Sequence, residues 1–205
     1  MEKRYGFFGG SFNPVTNAHI NLANLIVEKY NLDKVIFVPM GDKYKKQNLI
    51  SEKDRYEMLK LATNNKEKLE VSDIELNLPY ALTMLQAFEK IQEKYSDVKP
   101  YFIIGADNLN KLISLSDFEI LAENYEYIVI KRNDIQINEK IASNPILKRF
   151  KDHFNILEEN PYEQISSTKV RELIDNETLE LNDMIPSDVY EYIIHKEIYK
   201  STMKK

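Results

Sequence analysis

Gly6-Phe-Phe-Gly-Gly-Ser-Phe-Asn-Pro-Val-Thr-Asn-Ala-His-Ile20 is the stretch of sequence that decides the fold. The apolar run from Arg4 to Phe8 predicts a buried strand, and apolar residues recur at helical spacing from Ile20 to Tyr30. Between them, Gly9 and Gly10 allow a tight turn and a close approach of a ligand to the backbone. A strand that passes through glycines directly into a helix is typical of a nucleotide-phosphate site.

The histidine of this stretch, His19, falls in the first turn of the predicted helix. Backbone N–H groups without helical partners and the positive end of the helix dipole gather there, so an anion is favoured and a cation is not. A bound phosphate would explain the histidine, although a glycine pair or a histidine taken alone indicates no more than a turn or a cap. Neither a G-x-x-x-x-G-K-[ST] loop nor a G-x-G-x-x-G after this strand is present.

The composition is typical of one globular domain. The chain has 205 residues, 43% of them hydrophobic, which is enough for a substantial core. We predict a single domain over 1–205, with a C-terminal helical part over 160–205. The sequence has no cysteine, no signal-peptide pattern and no apolar run near the ~18 residues of a membrane span, so we expect a cytoplasmic protein without disulfides.

The formal net charge of −5 argues against a nucleic-acid surface, which usually carries an excess of basic residues. We therefore expect no nucleic acid as partner, and the absence of a long apolar run predicts no membrane partner. Anionic small molecules remain compatible with this charge, because basic residues are grouped locally. These groups are Lys43, Lys45 and Lys46, then Lys131 and Arg132, and then Lys169 and Arg171.

Strands and helices alternate along the chain. Further strands are predicted at 34–38, 69–74, 101–104, 127–130 and 154–157, and helices at 51–65 and 80–95. This alternation predicts a Rossmann-like, doubly wound α/β fold, with a mainly parallel sheet and helices on both faces. Ligands of such sheets bind beyond the carboxyl ends of the strands. The residues at those ends are Gly9, Pro39, Gly105 and Lys131.

Ile165-Ser-Ser-Thr-Lys-Val-Arg171 is a second informative stretch, with hydroxyl residues at the start of a predicted helix. Lys169 and Arg171 follow within the first turn, where the helix dipole favours acidic residues. A serine cap with exposed cations would give the same pattern. The unfavourable charges are explained if the hydroxyls, the backbone N–H groups and Arg171 hold a polyphosphate.

Both stretches resemble signatures of the nucleotidyltransferase superfamily, whose members join a nucleoside triphosphate to a phosphorylated acceptor. Gly9 to His19 is similar to G-G-[ST]-F-[DN]-P-x-[HT]-x-G-H, and Ile165 to Arg171 is similar to I-S-S-T-x-[VI]-R. Thr16 stands where many members have a first histidine, and Ala18 stands where the family has glycine.

Over nearly its whole length the chain resembles the bacterial nicotinate-nucleotide adenylyltransferases. The matching elements are Gly105-Ala-Asp107, Arg55 with Met58-Leu59, Lys131-Arg132, and Met184 to Ile193 with Ile198-Tyr199. Three elements depart from the family. Where the family has a P-P-H-K loop, only Lys46 of this chain matches, and the family element S-Y-T-x-D-T-L is replaced by Pro79 to Leu85. A tryptophan that the family has near Leu115 is absent. These departures concern the pyridine pocket more than the ATP site.

The resemblance implies transfer of AMP from ATP to nicotinate mononucleotide, which yields nicotinate adenine dinucleotide and pyrophosphate for NAD biosynthesis. It places these residues at ATP: Gly9, Gly10, Ser11, Phe12, His19, Gly105, Asp107, Ile165, Ser166, Ser167, Thr168 and Arg171. The catalytic residues would be His19, Thr16 and Arg171, with His19 and Thr16 against the triphosphate.

On the acceptor side, the resemblance suggests Lys46, Tyr80, Thr83, Leu115, Phe118 and Arg132. Phe118 is expected to stack on the pyridine ring in place of the missing tryptophan, and a core position explains this residue equally well. No His/Asp cluster has metal-ligand spacing, so Mg²⁺ is expected to arrive with ATP.

Two alternatives stay open. One is an adenylyltransferase for another phosphorylated acceptor, such as phosphopantetheine. The other is a nucleotide-binding regulatory protein with impaired catalysis, which Thr16, Ala18 and the altered acceptor pocket suggest. The sequence is compatible with a homodimer.

Overall fold

Six parallel strands form one sheet in the computed structural model, which describes residues 2–131, 136–176, 181 and 183–200. The strands are β1 (Lys3–Gly10), β2 (Lys34–Pro39), β3 (Leu69–Val71), β4 (Val98–Gly105), β5 (Glu126–Ile130) and β6 (Phe154–Leu157). Their order is β3-β2-β1-β4-β5-β6, and every neighbouring pair is parallel. The predicted Rossmann-like α/β fold is confirmed.

Helices cover both faces of this sheet. They are α1 (Asn17–Lys29), α2 (Glu52–Thr63), α3 (Met84–Lys94), α4 (Ala106–Ile113), α5 (Phe118–Asn124), α6 (Ile137–Ser143), α7 (Pro145–Arg149), α8 (Ser167–Asp175) and α9 (Ser187–His195). A short 3₁₀ helix, Lys151–His153, precedes β6. None of the described helices is long and apolar enough to cross a membrane.

Two hydrophobic cores follow from the alternation of side chains along the strands. Phe8 and Ile128 point to a core shared with α1, α2, α8 and α9. Phe7 and Val129 belong to the opposite core, which α3 to α7 cover. Helices α8 and α9 of the C-terminal part thus pack in the same core as α1 and α2. That residues 1–205 form a single domain stays a prediction.

The sheet changes its winding direction between β1 and β4, since β2 and β3 lie to one side of β1 and β4 to β6 lie to the other. In the parallel register Phe8 pairs with Ile103, so β1 and β4 end at the same level, at Gly10 and Gly105. Such a switch point leaves a crevice at the carboxyl ends of the two strands, where ligands bind in open α/β sheets.

The start of α3 differs from the prediction. We expected a helix from about Tyr80, but α3 begins at Met84. Thr83 caps this helix: its hydroxyl accepts from the Gln86 backbone N–H at 3.2 Å, and the Gln86 side chain accepts from the Thr83 N–H at 3.0 Å. This reciprocal pair satisfies two N–H groups at the helix start and ends the preceding loop.

Candidate active site

A cavity of about 450 Å³ opens at the carboxyl ends of β1 and β4. Every residue that was predicted to bind ATP lines it: Gly9, Gly10, Ser11, Phe12, His19, Gly105, Asp107, Ile165, Ser166, Ser167, Thr168 and Arg171. Residues that are far apart in the sequence are thus brought to one site. The role of each toward ATP stays a prediction.

The two glycines at the end of β1 serve different purposes. A Cβ atom at Gly10 would lie 2.9 Å from the ring of Phe12, which itself has a left-handed backbone with φ of 44°. Glycine is therefore required at position 10 by packing. A Cβ at Gly9 would meet no protein atom within 4 Å. The space beside Gly9 belongs to the cavity.

His19 lies at the start of α1 and is oriented by Thr16, the residue that precedes the helix. The Thr16 backbone N–H donates to Nδ1 of His19 at 3.1 Å. Because a backbone N–H can only donate, Nδ1 must be unprotonated, and the neutral ring then carries its proton on Nε2. The Thr16 hydroxyl, at 2.7 Å, donates to the same Nδ1. The histidine is thus held as an Nε2–H donor in the wall of the cavity.

Thr16 itself does not line the cavity. Its exposed fraction is 0%, and its hydroxyl is engaged with the His19 ring. We expected Thr16 to lie against a triphosphate, but the structure buries it beneath the loop, where it can reach a ligand only through His19. Thr16 therefore contacts the His19 ring through both its backbone N–H and its hydroxyl.

Arg55 supports the β1–α1 loop from below. Its side chain is completely buried, and it donates to the Ser11 carbonyl at 3.0 Å, the Ile50 carbonyl at 3.1 Å and the Asp42 carboxylate at 3.1 Å. These bonds fix the backbone of two segments that flank the cavity. The R-x-x-M-L resemblance indicated this arginine, but not its partners.

The second sequence motif is bonded directly to the first. Arg171 donates to the Asn13 carbonyl at 2.7 Å and to the Thr168 hydroxyl at 3.1 Å, while the Ser167 hydroxyl donates to the Pro14 carbonyl at 2.7 Å. Ser166 caps α8 by accepting from the Lys169 N–H. The helix starts of α1 and α8 therefore face the same cavity, and both favour an anion there.

Positive side chains converge on this cavity. Lys46 donates to the Ser11 hydroxyl at 3.0 Å. Burial lowers the pKa of Lys46 below its ordinary value, and the positive charges of Lys111, Arg171 and Arg55 lower it further. Such mutual repulsion is relieved when an anion binds between the cations.

Lys111 was missed in the sequence analysis. It lies on α4 and lines the cavity beside Asp107 and Asn108. A single lysine in a helix carries no local signal of binding, because most such residues are solvated. Only the structure, in which α4 follows the end of β4, shows that Lys111 and Lys46 line the same cavity.

Of the predicted acceptor residues, only Lys46 lines the cavity among the described part of the chain. Tyr80 is 57% exposed and Leu115 37% exposed, away from this cavity, and Thr83 caps α3. Phe118, the first residue of α5, is 3% exposed and packs in the core. The structure therefore supports the core interpretation of this residue rather than stacking on the pyridine ring. Arg132 lies outside the described residues.

No group of three or more His, Cys, Asp or Glu side chains among the described residues could hold a metal ion. The acidic residues that line the cavity are Asp107 and Glu163, against the cations Lys46, Lys111 and Arg171. This balance of charges favours an anionic ligand.

A parallel sheet with two glycines at the end of its first strand, two helix starts and a group of cations at its switch point defines a nucleotide-binding enzyme of the nucleotidyltransferase class. In agreement, the family model described as cytidylyltransferase-like matches residues 7–173. The chain is 35% identical over 182 residues to the protein named probable nicotinate-nucleotide adenylyltransferase in Clostridium novyi, covering 85% of this chain and 88% of that protein. A protein of the same name in Flavobacterium johnsoniae is 31% identical, with coverage of 96% and 99%. The chain belongs to the nicotinate-nucleotide adenylyltransferase family.

Solved structures share this fold. Plasmodium falciparum nicotinic acid mononucleotide adenylyltransferase complexed with NaAD has a TM-score of 0.77 at 24% identity, and the match covers 96% of this chain and 97% of that one. A structure described as a putative nicotinate-nucleotide adenylyltransferase from Vibrio parahaemolyticus has a TM-score of 0.65 at 19% identity, with 98% of each chain covered.

Proposed function

We propose that this protein transfers AMP from ATP to nicotinate mononucleotide, with release of pyrophosphate. The observation that carries the proposal is the convergence of His19, the α8 start and the Lys46 segment on one cavity. The curated relatives reported above carry the name of this activity. A cytoplasmic location and a homodimer stay predictions from the sequence.

The reaction needs alignment and charge stabilisation rather than a protein nucleophile. A phosphate oxygen of the acceptor attacks the α-phosphorus of ATP, a new P–O bond forms, and the bond to the leaving pyrophosphate breaks. Nε2–H of His19 would donate to the α-phosphate region as negative charge develops there. The helix start of α8 and Arg171 would hold the leaving phosphates, since both present N–H donors to the cavity.

Mg²⁺ would enter with ATP, because the acidic residues that line the cavity, Asp107 and Glu163, belong to no carboxylate cage among the described residues. When bound, the metal neutralises part of the triphosphate charge. Gly105 and Asp107, at the end of β4, would lie at the adenosine, as the family resemblance suggests.

Incubation of the purified protein with ATP, Mg²⁺ and single acceptors tests this proposal. We expect pyrophosphate with nicotinate mononucleotide and none with phosphopantetheine. Release with phosphopantetheine alone would instead identify the alternative acceptor. ATP binding without turnover on any acceptor would identify a regulatory nucleotide-binding protein and overturn the proposal.

Replacement of Lys111 by methionine should raise the KM for nicotinate mononucleotide roughly tenfold and leave the KM for ATP nearly unchanged. Lys111 and Lys46 both line the cavity, and their charges repel each other. An acceptor phosphate between them would gain charge-assisted hydrogen bonds of about 1.5–3 kcal/mol each, part of which is lost in the variant. Steady-state kinetics with each substrate varied in turn measures the effect.

The control for this prediction is Lys53→Met, which removes an exposed lysine of α2 outside the cavity. It should leave both KM values unchanged. An equal, small effect of the two substitutions would show that Lys111 is a solvated surface residue, and a rise in the KM for ATP alone would contradict its assignment to the acceptor phosphate.

A further inference from the structure

The side chain of Asn13 connects two walls of the cavity. Its Nδ2 donates to the Asn48 carbonyl at 2.7 Å, and its Oδ1 accepts from the Ile50 N–H at 3.4 Å. Because a carbonyl can only accept and a backbone N–H can only donate, these two contacts fix which amide atom is which. Asn13 follows Ser11 and Phe12 in the β1–α1 loop, whereas Asn48 and Ile50 come shortly after Lys46 and Gln47, which also line the cavity.

A third partner reaches Asn13 from the C-terminal part of the chain. The Tyr199 hydroxyl donates to Asn13 Oδ1 at 2.8 Å, across a sequence separation of 186 residues. This bond is shorter than the bond from Ile50 to the same oxygen. Tyr199 does not line the cavity, so it cannot contact a ligand there.

The surroundings of Tyr199 hold its hydroxyl in the donating form. Burial raises the pKa of this phenol well above its ordinary value, and the positive charges of Arg171 and Arg55 offset only part of that rise. The residue packs against the core shared with α1, α2, α8 and α9 and has φ of 67°, which bulky residues rarely adopt. An unfavourable backbone conformation persists only where the surrounding contacts over-determine it.

We propose that Tyr199 is a positioning residue for the adenylyl transfer: its hydroxyl orients the Asn13 amide and thereby fixes the Lys46 segment relative to the β1–α1 loop. This inference rests on the proposed function. The Asn13 carbonyl also accepts from Arg171, so one residue ties together the three segments that form the phosphate side of the cavity. A shift of about 1 Å between reacting groups can lower a rate by two orders of magnitude, so modest loosening should be measurable.

Tyr199→Phe tests the role, because it removes the hydroxyl and keeps the ring. We expect kcat/KM for nicotinate mononucleotide to fall roughly tenfold, with little change in melting temperature. Tyr192→Phe is the matched control: this tyrosine of α9 donates to Asp54 at 2.9 Å, and Asp54 is not a partner of Asn13. The control should keep kcat/KM near that of the wild type.

Asn13→Ala provides a second variant, since alanine removes both the acceptor for Tyr199 and the donor to Asn48. If Tyr199 acts through Asn13, the double variant should be no worse than the more impaired single variant. Additive losses would overturn the mechanism. Tyr199→Phe with wild-type kinetics and a lowered melting temperature would show a merely structural role.

Amide hydrogen exchange tests the positioning role of Tyr199 independently of the proposed enzymatic activity. The Ile50 amide should exchange several-fold faster in Tyr199→Phe and at the wild-type rate in Tyr192→Phe. Unchanged exchange in both variants would overturn the link, whatever the turnover. A wild-type protein that shows no turnover would overturn the proposed function and with it the positioning role, even if the exchange data confirm the contact.

Discussion

His19→Ala should lower the turnover by roughly 10²–10³ with little change in the affinity for ATP. Loss of one donor to a developing negative charge typically has this effect, equivalent to about 2.7–4 kcal/mol of transition-state stabilisation. The structure supports the assignment, because the Thr16 backbone N–H requires an acceptor at Nδ1 and thereby leaves the proton on Nε2. Since the charge on the α-phosphate oxygens grows in the transition state, the loss should appear in kcat rather than in ATP binding.

The control for His19→Ala is His195→Ala, which removes an exposed histidine at the end of α9. Turnover of the control should match the wild type. Melting temperatures of both variants are needed, because the His19 ring packs edge-on against Phe12 at 5.2 Å. Near-normal turnover of a well-folded His19→Ala protein would remove His19 from the catalytic residues.

The nucleotide half of the site was predictable because its signals are local. A strand, two glycines and a helix start follow one another within the stretch from Gly6 to Ile20, and hydroxyl residues precede α8 in the same way. Each of these features is defined by a few consecutive residues, so capping preferences and the helix dipole are enough to interpret it. The alternation of strands and helices then predicts that both stretches meet at one edge of the sheet.

The acceptor half was not predictable from such patterns. Phe118 was expected to stack on a ligand because it lies three residues beyond Leu115, but α5 begins at Phe118 and turns this side chain into the core. A helix of seven residues is too short to show clear periodicity in the sequence. Which face of it is buried depends on the packing of neighbouring helices.

Contacts between residues that are distant in the sequence could not be predicted either. Nothing near Asn13 in the sequence indicates that Tyr199 donates to it, and nothing near Lys111 indicates that Lys46 shares its cavity. The order of the strands brings the ends of β2, β1 and β4 side by side, and α9 packs against α2. The sequence predicted the class of fold, but it did not predict the order of the strands in the sheet.

Replacement of Arg55 by methionine should lower the free energy of unfolding by about 2–6 kcal/mol, the largest effect on stability that we predict. The guanidinium is completely buried and donates to Ser11, Ile50 and Asp42. Methionine fills similar space but leaves two backbone carbonyls without this donor, and each unsatisfied buried group costs about 1–3 kcal/mol. Urea-induced unfolding, monitored by circular dichroism, measures the difference.

Arg149→Met is the matched control, because Arg149 forms an ion pair with Glu119 in which both side chains are more than half exposed. Exposed pairs contribute only about 0–1 kcal/mol, so this variant should unfold close to the wild type. A loss in Arg55→Met no larger than in Arg149→Met would mean that water replaces the guanidinium beneath the loop. A large loss would instead show that the buried cation Arg55 holds the backbone of the β1–α1 loop. The same cation adds positive charge beside the site where the triphosphate is proposed to bind.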